Sequence, residues 1–395
     1  MRLRITTCAL ACALAACQTT AIQPAPPAPS DAAVPRISAP ACEQRVNDTL
    51  AKIEQCIERR SLWHRLARFQ AIADENLSPS GHGNRDTGTP GYRASVAYVA
   101  GLMRHAGYHV TIQRYIYSSS KAIGSPLSRG GKPRYVIDRA WFAAIHQQPD
   151  SNIDYNVIAD STFGDPRNTV VIDAHLDSIY GAGMLDNASG SATILEVALA
   201  MAKTHTRNRL RYIWFGGEEL GLLGSQYYTT HLTSGGLHDI DFDVDVDVTA
   251  TPNFDILIAD PKNSSRAKSF PPNVIPESIV GNDYFADFFE RGGVISRPAS
   301  FGNDGTDSLS FSVAGVPNSG VLTEQDCCKH LSETKLWGGF LGNYEGTVPG
   351  FDGGCVDRPH RWCDNLNNND PFVFELVSRS VAYVTFELAN RNFAW

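Results

Sequence analysis

The sequence predicts an α/β fold, a three-layer sandwich in which helices flank a mostly parallel central sheet. Strand patterns alternate with helix patterns along the chain, and this alternation favours that architecture. The 395 residues, 43% of them hydrophobic, suffice for an enzyme-sized core. No internal repeat and no second shift in composition appears after residue 80. We therefore expect one main domain at 81–395, preceded by a helical lead-in at 41–80.

The first half of the folded region begins with helix patterns and then turns to strand patterns. Apolar residues at helical spacing predict a helix across 43–75, and the turn-forming residues of 81–91 predict a loop. An amphipathic run at 92–105 predicts a second helix. Polarity then alternates over 108–117, as in a strand, and the short apolar run NTVVID at 168–173 predicts another strand.

The second half continues the alternation towards the C-terminus. The segment 189–203 carries its apolar residues at helical spacing, and strict alternation of polarity at 240–248 predicts a strand. The other predicted elements are strands at 210–215 and 255–259 and helices at 219–231, 282–291 and 371–391.

Composition and charge exclude several classes of protein. Charged residues make up 19% of the chain, and with 43% hydrophobic residues this excludes a disordered, coiled-coil or collagen-like chain. The formal net charge of −8 argues against a nucleic-acid interface that relies on phosphate contacts. No apolar run approaches the roughly 18 to 20 residues that a membrane-spanning helix needs.

The first 16 residues resemble the signal peptide of a bacterial lipoprotein. Arg2 and Arg4 precede a short apolar stretch that ends in Leu-Ala-Ala-Cys at 14–17. That ending resembles a lipobox, which implies that Cys17 is lipidated and becomes the first mature residue. Gln18, rather than Asp, resembles lipoproteins that are passed on to an outer membrane. An ordinary signal peptide that is cleaved nearby is the alternative.

The segment 17–40 is predicted to be an extended tether. It contains six prolines among small residues, so it cannot pack a core of its own. With the lipobox at its start, this tether leads us to expect an exported protein that is held at the bacterial cell envelope by a lipid.

Six cysteines remain after the signal peptide and Cys17 are set aside. In an exported protein, an even number favours disulfide bonds over metal ligation. Cys355 and Cys363 can close a short loop, whereas a bond between the adjacent Cys327 and Cys328 would be strained. The pairing is left open among Cys42, Cys56, Cys327, Cys328, Cys355 and Cys363.

Titratable side chains follow three of the predicted strands at the point where each strand ends. In open α/β sheets, ligands bind beyond the carboxyl ends of the strands. One imidazole and several carboxylates at one edge would suit a metal with a preference for nitrogen and oxygen ligands. The residues concerned are His175, Asp177, Asp186, Glu218, Glu219 and Asp247.

Each of these short patterns also has a structural interpretation. His175-x-Asp177 can be a surface loop, and Glu218-Glu219 can be acidic residues that complement a helix dipole. The run from Asp186 can cap the following helix. We interpret most aspartates of the run 239–247 as the solvated face of a strand. The order of the patterns on these elements nevertheless favours a metal site.

The whole constellation resembles the exported double-zinc aminopeptidases of the leucyl-aminopeptidase type. The resemblance extends from about Gly81 to the C-terminus and includes NRDTGTPGYRASVAYVAGLMRHAGYHVT. Its most specific stretch is VVIDAHLDSIYGAGMLDNASGSATILEVA, followed by IWFGGEELGLLGS. The segments DVDVTATPN and GTDSLSFSVAGVP, the second around Asp307, match more loosely. The resemblance implies that 81–395 is a zinc peptidase domain.

The resemblance also implies a set of ligands for two Zn²⁺ ions per chain. His175 and Asp247 would hold one zinc, and Glu219 and His360 would hold the second. Asp186 would bridge both ions. His360 lies three residues before Cys363, as in the disulfide-held histidine loop of the family.

The same resemblance implies an exopeptidase mechanism. Glu218 would be the general base, and Asp177 would orient His175. The expected substrates are peptides or proteins with a free N-terminus, cleaved by a metal-bridging hydroxide, and we expect a monomer. One position departs from the family, since better-known members often carry Tyr where this chain has Pro359.

Three alternatives remain. A glutaminyl-cyclase-like enzyme would use a single zinc, and a carboxypeptidase of the same fold would take the other end of the substrate. A surface binding lipoprotein with a metal-free site is a third, different class. The absence of a Gly-x-Ser-x-Gly motif disfavours a serine hydrolase.

Overall fold

A computed structural model describes residues 39–79, 81–117, 152–179, 181–299, 305–325, 328–345 and 362–393. Within these residues, helices flank one sheet of eight strands, and the predicted α/β class is confirmed. The strands are β1 (His109–Ile116), β2 (Ile153–Asp160), β3 (Asp165–His175), β4 (Asn208–Phe215), β5 (Ile240–Val246), β6 (Leu257–Ala259), β7 (Arg297–Ala299) and β8 (Asn318–Leu322).

The helices lie on both sides of this sheet and between its strands along the chain. They are α1 (Ala39–Gln44), α2 (Leu50–Glu54), α3 (Arg59–Glu75), α4 (Pro90–Ala106), α5 (Ser189–Met201), α6 (Leu223–His231), α7 (Ser234–His238), α8 (Val274–Arg291), α9 (Ser308–Ala314), α10 (Leu331–Trp337) and α11 (Pro371–Asn390). No helix in the described ranges combines the length and the apolar character that crossing a bilayer requires.

The strand order is β1-β2-β4-β3-β5-β8-β6-β7. At its centre, β3 pairs in parallel with β4 on one side and with β5 on the other. Strand β8 continues the parallel part next to β5, and antiparallel pairs join β1, β2 and β6 to it. Because β4, β3 and β5 are parallel neighbours, their carboxyl ends meet at one edge, as the sequence predicts.

The predicted helix at 43–75 is wrong as a continuous element, because it is divided into α1, α2 and α3. The buried side chain of Asn47 donates hydrogen bonds to the carbonyls of Cys42 and Ala200, and such polar contacts compete with helical hydrogen bonding. The hydroxyl of Thr49 then accepts from the N–H of Lys52 and caps α2. A disulfide joins Cys42 to Cys56 across this break.

These N-terminal helices pack on the same core as the rest of the chain. Leu62, Leu66 and Phe69 are fully buried in it, together with residues of α5 and α11. Arg59 pairs with Glu375 at 2.9 Å, and the Arg379 side chain donates to the Ile57 carbonyl at 3.2 Å. The lead-in and the last helix therefore stabilise each other.

The predicted helix at 219–231 begins later than expected, at Leu223. Gly217, Gly221 and Leu222 have positive φ angles of 67°, 107° and 61°, which no helix accommodates. Residues 218–222 therefore form a turn rather than a first helical turn. That turn carries the two adjacent glutamates to the edge of the sheet.

The interpretation of the aspartate run at 239–247 as a solvated strand face is wrong for the members within β5. Asp241, Asp243 and Asp245 are 7%, 0% and 1% exposed. Phe242, Val244 and Val246 face the main core, while the opposite face is covered by α9. There the Ser308 N–H donates to Asp245 Oδ2 at 2.8 Å. A central parallel strand is buried on both faces, so its polarity pattern does not report exposure.

Candidate metal centre

The ends of three neighbouring strands bring the predicted site residues to one place. His175 is the last residue of β3, and Asp247 directly follows β5. Glu218 and Glu219 lie in the turn between β4 and α6. Asp186 lies in the turn Met184–Ala188, between β3 and α5. All five belong to the same edge of the sheet.

Within the described residues, His175, Asp186 and Asp247 form a group that could hold a metal ion. Each offers one ligand atom, and these atoms lie within 4.8 Å of one another. His175 Nε2 is 3.0 Å from Asp186 Oδ1 and 3.5 Å from Asp247 Oδ1. The Asp247 Oδ1 atom is buried and accepts no hydrogen bond from the described residues. One imidazole nitrogen and two carboxylate oxygens fit zinc, which takes such ligands.

Glu218 lies beside this group, with its Oε2 atom 4.0 Å from His175 Nε2. Burial raises the pKa of Glu218 well above 4.5, against the lowering effect of the charge on His175. The neighbouring charges of Glu219, Asp307 and Asp247 raise that pKa further. A carboxyl that takes up a proton more readily than usual is suited to general-base chemistry near neutral pH.

The charge balance of the site favours a cation. Burial opposes protonation of His175, but the charges of Asp247 and Glu218 and contacts with Asp177 and Asp186 outweigh it. They raise the pKa of His175 well above 6.5. Because several buried carboxylates surround a single imidazole, a bound cation would relieve their mutual repulsion.

Asp177 is fully buried and holds several parts of the site together. Its Oδ1 atom is 3.4 Å from His175 Nδ1, the ring nitrogen opposite the proposed metal side. The Asp177 carboxylate also accepts hydrogen bonds from the backbone N–H groups of Glu218 and Glu219, at 3.2 and 3.3 Å. Thr87 Oγ1 donates to it at 2.8 Å. This arrangement fits the predicted role of Asp177 in orienting His175. No pattern in the sequence indicated that Thr87 contributes to it.

Asn187 links the turn of Asp186 to the strand end that carries Asp247. Its side-chain amide donates to the Val246 carbonyl at 2.9 Å and accepts from the Val248 N–H at 3.1 Å. Its oxygen also accepts from the Gly190 N–H at 2.8 Å, so part of the capping interpretation holds. The residues on both sides of Asp247 are thus fixed by the residue that follows Asp186.

The second set of predicted ligands stays a prediction. Glu219 is 8% exposed and near the group, but it is not one of the three residues whose ligand atoms cluster. His360, Pro359 and Cys355 lie outside the described residues, as do Cys17 and Cys327. Cys328 and Cys363 both form disulfides, in agreement with the disulfide interpretation.

Four buried aspartates, Asp173, Asp243, Asp245 and Asp307, belong to the region beneath the site, and the sequence analysis did not assign them a role there. Asp173 lies in β3, two are in β5, and Asp307 precedes α9. Burial, followed by the charge of Asp247, raises the pKa of Asp245 to about 7. Their influence extends to the site, since the charge of Asp307 contributes to the raised pKa of Glu218.

The fold and the site together define an α/β protein with a histidine–carboxylate metal centre at the carboxyl edge of its parallel strands. The model of peptidase family M28 matches residues 156–385. The chain belongs to peptidase family M28.

Two relatives illustrate how far the similarity extends. The chain is 29% identical to leupeptin-inactivating enzyme 1 of Streptomyces exfoliatus over 326 residues, which cover 82% of this chain and 60% of that protein. It is 31% identical to an aminopeptidase of Pseudomonas aeruginosa over 232 residues, 58% of this chain and 40% of that protein. The chain thus spans only about half the length of these relatives.

Solved structures of the same fold include a zinc aminopeptidase from Bacillus subtilis, with a TM-score of 0.58 and 15% identity, covering 85% of this chain and 96% of that one. A glutaminyl cyclase from Porphyromonas gingivalis has a TM-score of 0.52 and 16% identity, covering 83% and 97%. At such identities the likeness shows the fold alone.

Proposed function

We propose that the protein is a zinc-dependent aminopeptidase that hydrolyses the N-terminal bond of peptides or proteins. The observation that carries this proposal is the group of His175, Asp186 and Asp247, the first two buried and the third partly exposed, with Glu218 4.0 Å from the imidazole. Membership of a peptidase family supports hydrolysis of peptide bonds, and the P. aeruginosa relative is named an aminopeptidase.

The proposed roles of the side chains follow from their positions. His175 and Asp247 would hold one zinc, Asp186 would bridge to a second, and Glu219 and His360 would complete the second position. When bound, zinc supplies Lewis-acid activation of the water and of the scissile carbonyl. Glu218 would take the proton of the attacking water and pass it to the leaving amine. Asp177 would keep the His175 ring in the orientation that ligation needs.

The choice of the substrate's N-terminus is supported by the comparisons rather than by the charge of the site, because bound zinc would offset the charge of its carboxylate ligands. The P. aeruginosa relative is named an aminopeptidase. We therefore propose that the substrate enters with its N-terminal residue at this edge of the sheet. The carboxypeptidase alternative would instead cleave peptides whose N-terminus is blocked.

The test combines metal content with the choice of substrate. We expect mature protein to hold two zinc ions per chain, to cleave leucyl-4-nitroanilide, and to leave the N-acetylated compound intact. Chelation should abolish the cleavage and added zinc should restore it. Full activity after complete demetallation would contradict the proposal.

The glutaminyl-cyclase alternative is supported by the ligand group of His175, Asp186 and Asp247, which suffices for one metal, and the fold is compatible with it. It predicts one zinc per chain and conversion of N-terminal glutamine to pyroglutamate without cleavage. The same metal analysis and a glutaminyl peptide distinguish the two.

We also propose that the protein is a monomer. We propose further that a lipid on Cys17 anchors it in the bacterial cell envelope, at the outer membrane. The motif Leu-Ala-Ala-Cys at 14–17 and the proline-rich tether after it support this proposal. Cys17→Ser should move the protein out of the membrane fraction or leave the signal peptide uncut. An unlipidated wild-type protein in the medium would contradict it.

A further inference from the structure

Asp364 is a buried acid, 1% exposed, that binds the backbone of one short segment at three places. Its carboxylate accepts from the backbone N–H groups of Leu185 at 2.6 Å and Asp186 at 3.1 Å. Its own carbonyl accepts from the Met184 N–H at 3.3 Å. Three consecutive amides of the turn that presents Asp186 therefore bind a residue almost 180 positions later in the chain.

The other side of the same loop is held by a buried cation. The Arg85 guanidinium donates to the carbonyls of Leu176, Ala182 and Gly183 at 2.7, 2.8 and 2.7 Å. Burial lowers the pKa of Arg85 to about 10, and the charge of Asp364 is the largest opposing effect. The loop between β3 and α5 is thus fixed by an anion at its N–H groups and by a cation at its carbonyls.

Such contacts matter here because this loop lies between the end of β3 and the start of α5, where regular sheet pairing stops. Buried N–H and C=O groups need hydrogen bonds, and charge-assisted ones are shorter and stronger than neutral ones. The Asp186 side chain extends from this backbone to within 3.0 Å of His175 Nε2. Ligand positions must be held within about half an ångström for productive geometry.

We infer that Asp364 is a positioning residue for the metal ligand Asp186, acting through the two amides that it binds. This inference rests on the proposed function, because it assigns Asp364 a part in metal binding. Asp364 itself does not need to touch metal or substrate. It fixes the peptide groups on both sides of Leu185, and with them the direction of the next side chain.

Asp370 provides a matched control. Its carboxylate also accepts from two backbone N–H groups, those of Phe372 at 2.7 Å and Val373 at 3.1 Å, although both bind one oxygen, Oδ1, whereas Asp364 uses both of its oxygens. These amides begin α11 and none of them belongs to the turn of Asp186. Asp364→Asn and Asp370→Asn therefore each remove one negative charge that faces two backbone N–H groups, and only the first of these pairs lies in the turn of Asp186.

The experiment measures three quantities on the full mature chain. They are zinc affinity by competition with a chromophoric chelator, steady-state kinetics, and amide hydrogen exchange of the metal-free protein. For Asp364→Asn we expect zinc affinity to fall about 10- to 100-fold, the loss typical of residues that support metal ligands. We expect kcat to fall with little change in KM, and exchange in peptides that contain 184–188 to accelerate. Asp370→Asn should alter thermal stability and exchange at the start of α11 only.

A conservative variant guards against misfolding of Asp364→Asn. Asp364→Glu keeps the charge and should give zinc affinity between those of Asp364→Asn and the wild type. Equal zinc affinity and equal exchange at 184–188 in wild type and Asp364→Asn would overturn the inference, as would identical losses in Asp364→Asn and Asp370→Asn. A wild-type protein without zinc affinity would instead contradict the proposed function, and the metal-binding part of the inference with it.

Discussion

Two adjacent acids, Glu218 and Glu219, are assigned different roles although they lie in one short turn. Both backbone N–H groups bind Asp177, so the two residues share one support. Their proposed roles differ, because the Glu218 carboxylate lies 4.0 Å from the His175 imidazole and Glu219 is a proposed ligand of the second zinc. The two variants should therefore fail in distinguishable ways.

Glu218→Gln should leave both metals in place and lower kcat by about 10² to 10⁴, because an amide cannot accept the proton of the attacking water. Glu219→Gln should lower the metal content, since it removes a proposed ligand of the second zinc. Metal analysis and steady-state kinetics on both variants provide the test. Loss of zinc in Glu218→Gln alone would reverse the two roles, and full activity of both would contradict the site assignment.

At the scale of single residues, the sequence indicates the candidate ligands at the strand ends. It does not indicate the residues that hold those ligands in place from distant positions in the chain. His175, Asp186 and Asp247 stand out because each follows a predicted strand, and the structure brings them together. Arg85 and Asp364 act on backbone groups more than 90 positions away, and no local pattern encodes such contacts.

At the scale of elements, α5 begins directly after the turn of Asp186, and Gly190 lies where the two meet. A side-chain carbon at Gly190 would overlap with the Val246 carbonyl and with the Asn187 amide. Those two groups join the turn of Asp186 to the strand end that carries Asp247. Close packing at this position therefore affects two proposed ligands at once.

Gly190→Ala should destabilise the fold by about 1 to 3 kcal/mol through overpacking and should weaken zinc binding. Gly101→Ala is the control, because Gly101 lies within α4 with no atom near the added carbon. That change should be neutral or stabilising by about 0.5 to 1 kcal/mol. Chemical denaturation and zinc competition measure both effects. Unchanged zinc affinity in Gly190→Ala would show that close packing at this position does not affect metal binding.

Elements were predicted well where polarity follows exposure and poorly where it does not. Helix α4 and strand β1 match their predicted ranges closely. Strand β2 was missed because Asp154 and Asn156, both fully buried, reverse its expected pattern. The Asn156 oxygen accepts from the Gly216 N–H, and its amide donates to the Gly224 carbonyl. This buried side chain therefore fixes the backbone on both sides of the turn that carries Glu218.

At the scale of the whole molecule, the buried aspartates make the stability of the metal-free protein depend on pH. Burial, followed by the charge of Asp245, raises the pKa of Asp243 well above 3.8, although its contact with Asp173 acts in the opposite direction. The folded state therefore binds a proton that the unfolded state releases above about pH 3.8. Stability from this group is present at lower pH and is lost as pH rises through the raised pKa.

Asp243→Asn should remove this dependence, because the amide is neutral at every pH. In the presence of a chelator, we expect the variant to gain thermal stability over the wild type at pH 7 to 8 and to gain less at pH 4. Thermal unfolding of both proteins across that range is the measurement. A difference that is constant with pH would show that Asp243 does not take up a proton on folding.

The parallel centre of the sheet follows from a rule that applies to whole domains, and it was predictable for that reason. Alternating strands and helices predict a parallel centre, and β4, β3 and β5 form one. The antiparallel edge formed by β1 and β2 was not predictable, because nothing in a local pattern states which strand is the neighbour.

The contacts of Arg59 with Glu375 and of Arg379 with Ile57 can form only when both ends of the folded region are present. They join segments 316 and 322 positions apart, and α2 and α3 bury their apolar residues beside that last helix. If the chain is exported from its N-terminus as proposed, its first helices reach the far side of the membrane long before their partner does. Contacts between residues so far apart in sequence form slowly, because bringing them together costs loop-closure entropy before any contact compensates for it. The last helix would therefore have to cross the membrane before the domain can fold completely. Until then the chain would remain incompletely folded and competent for translocation.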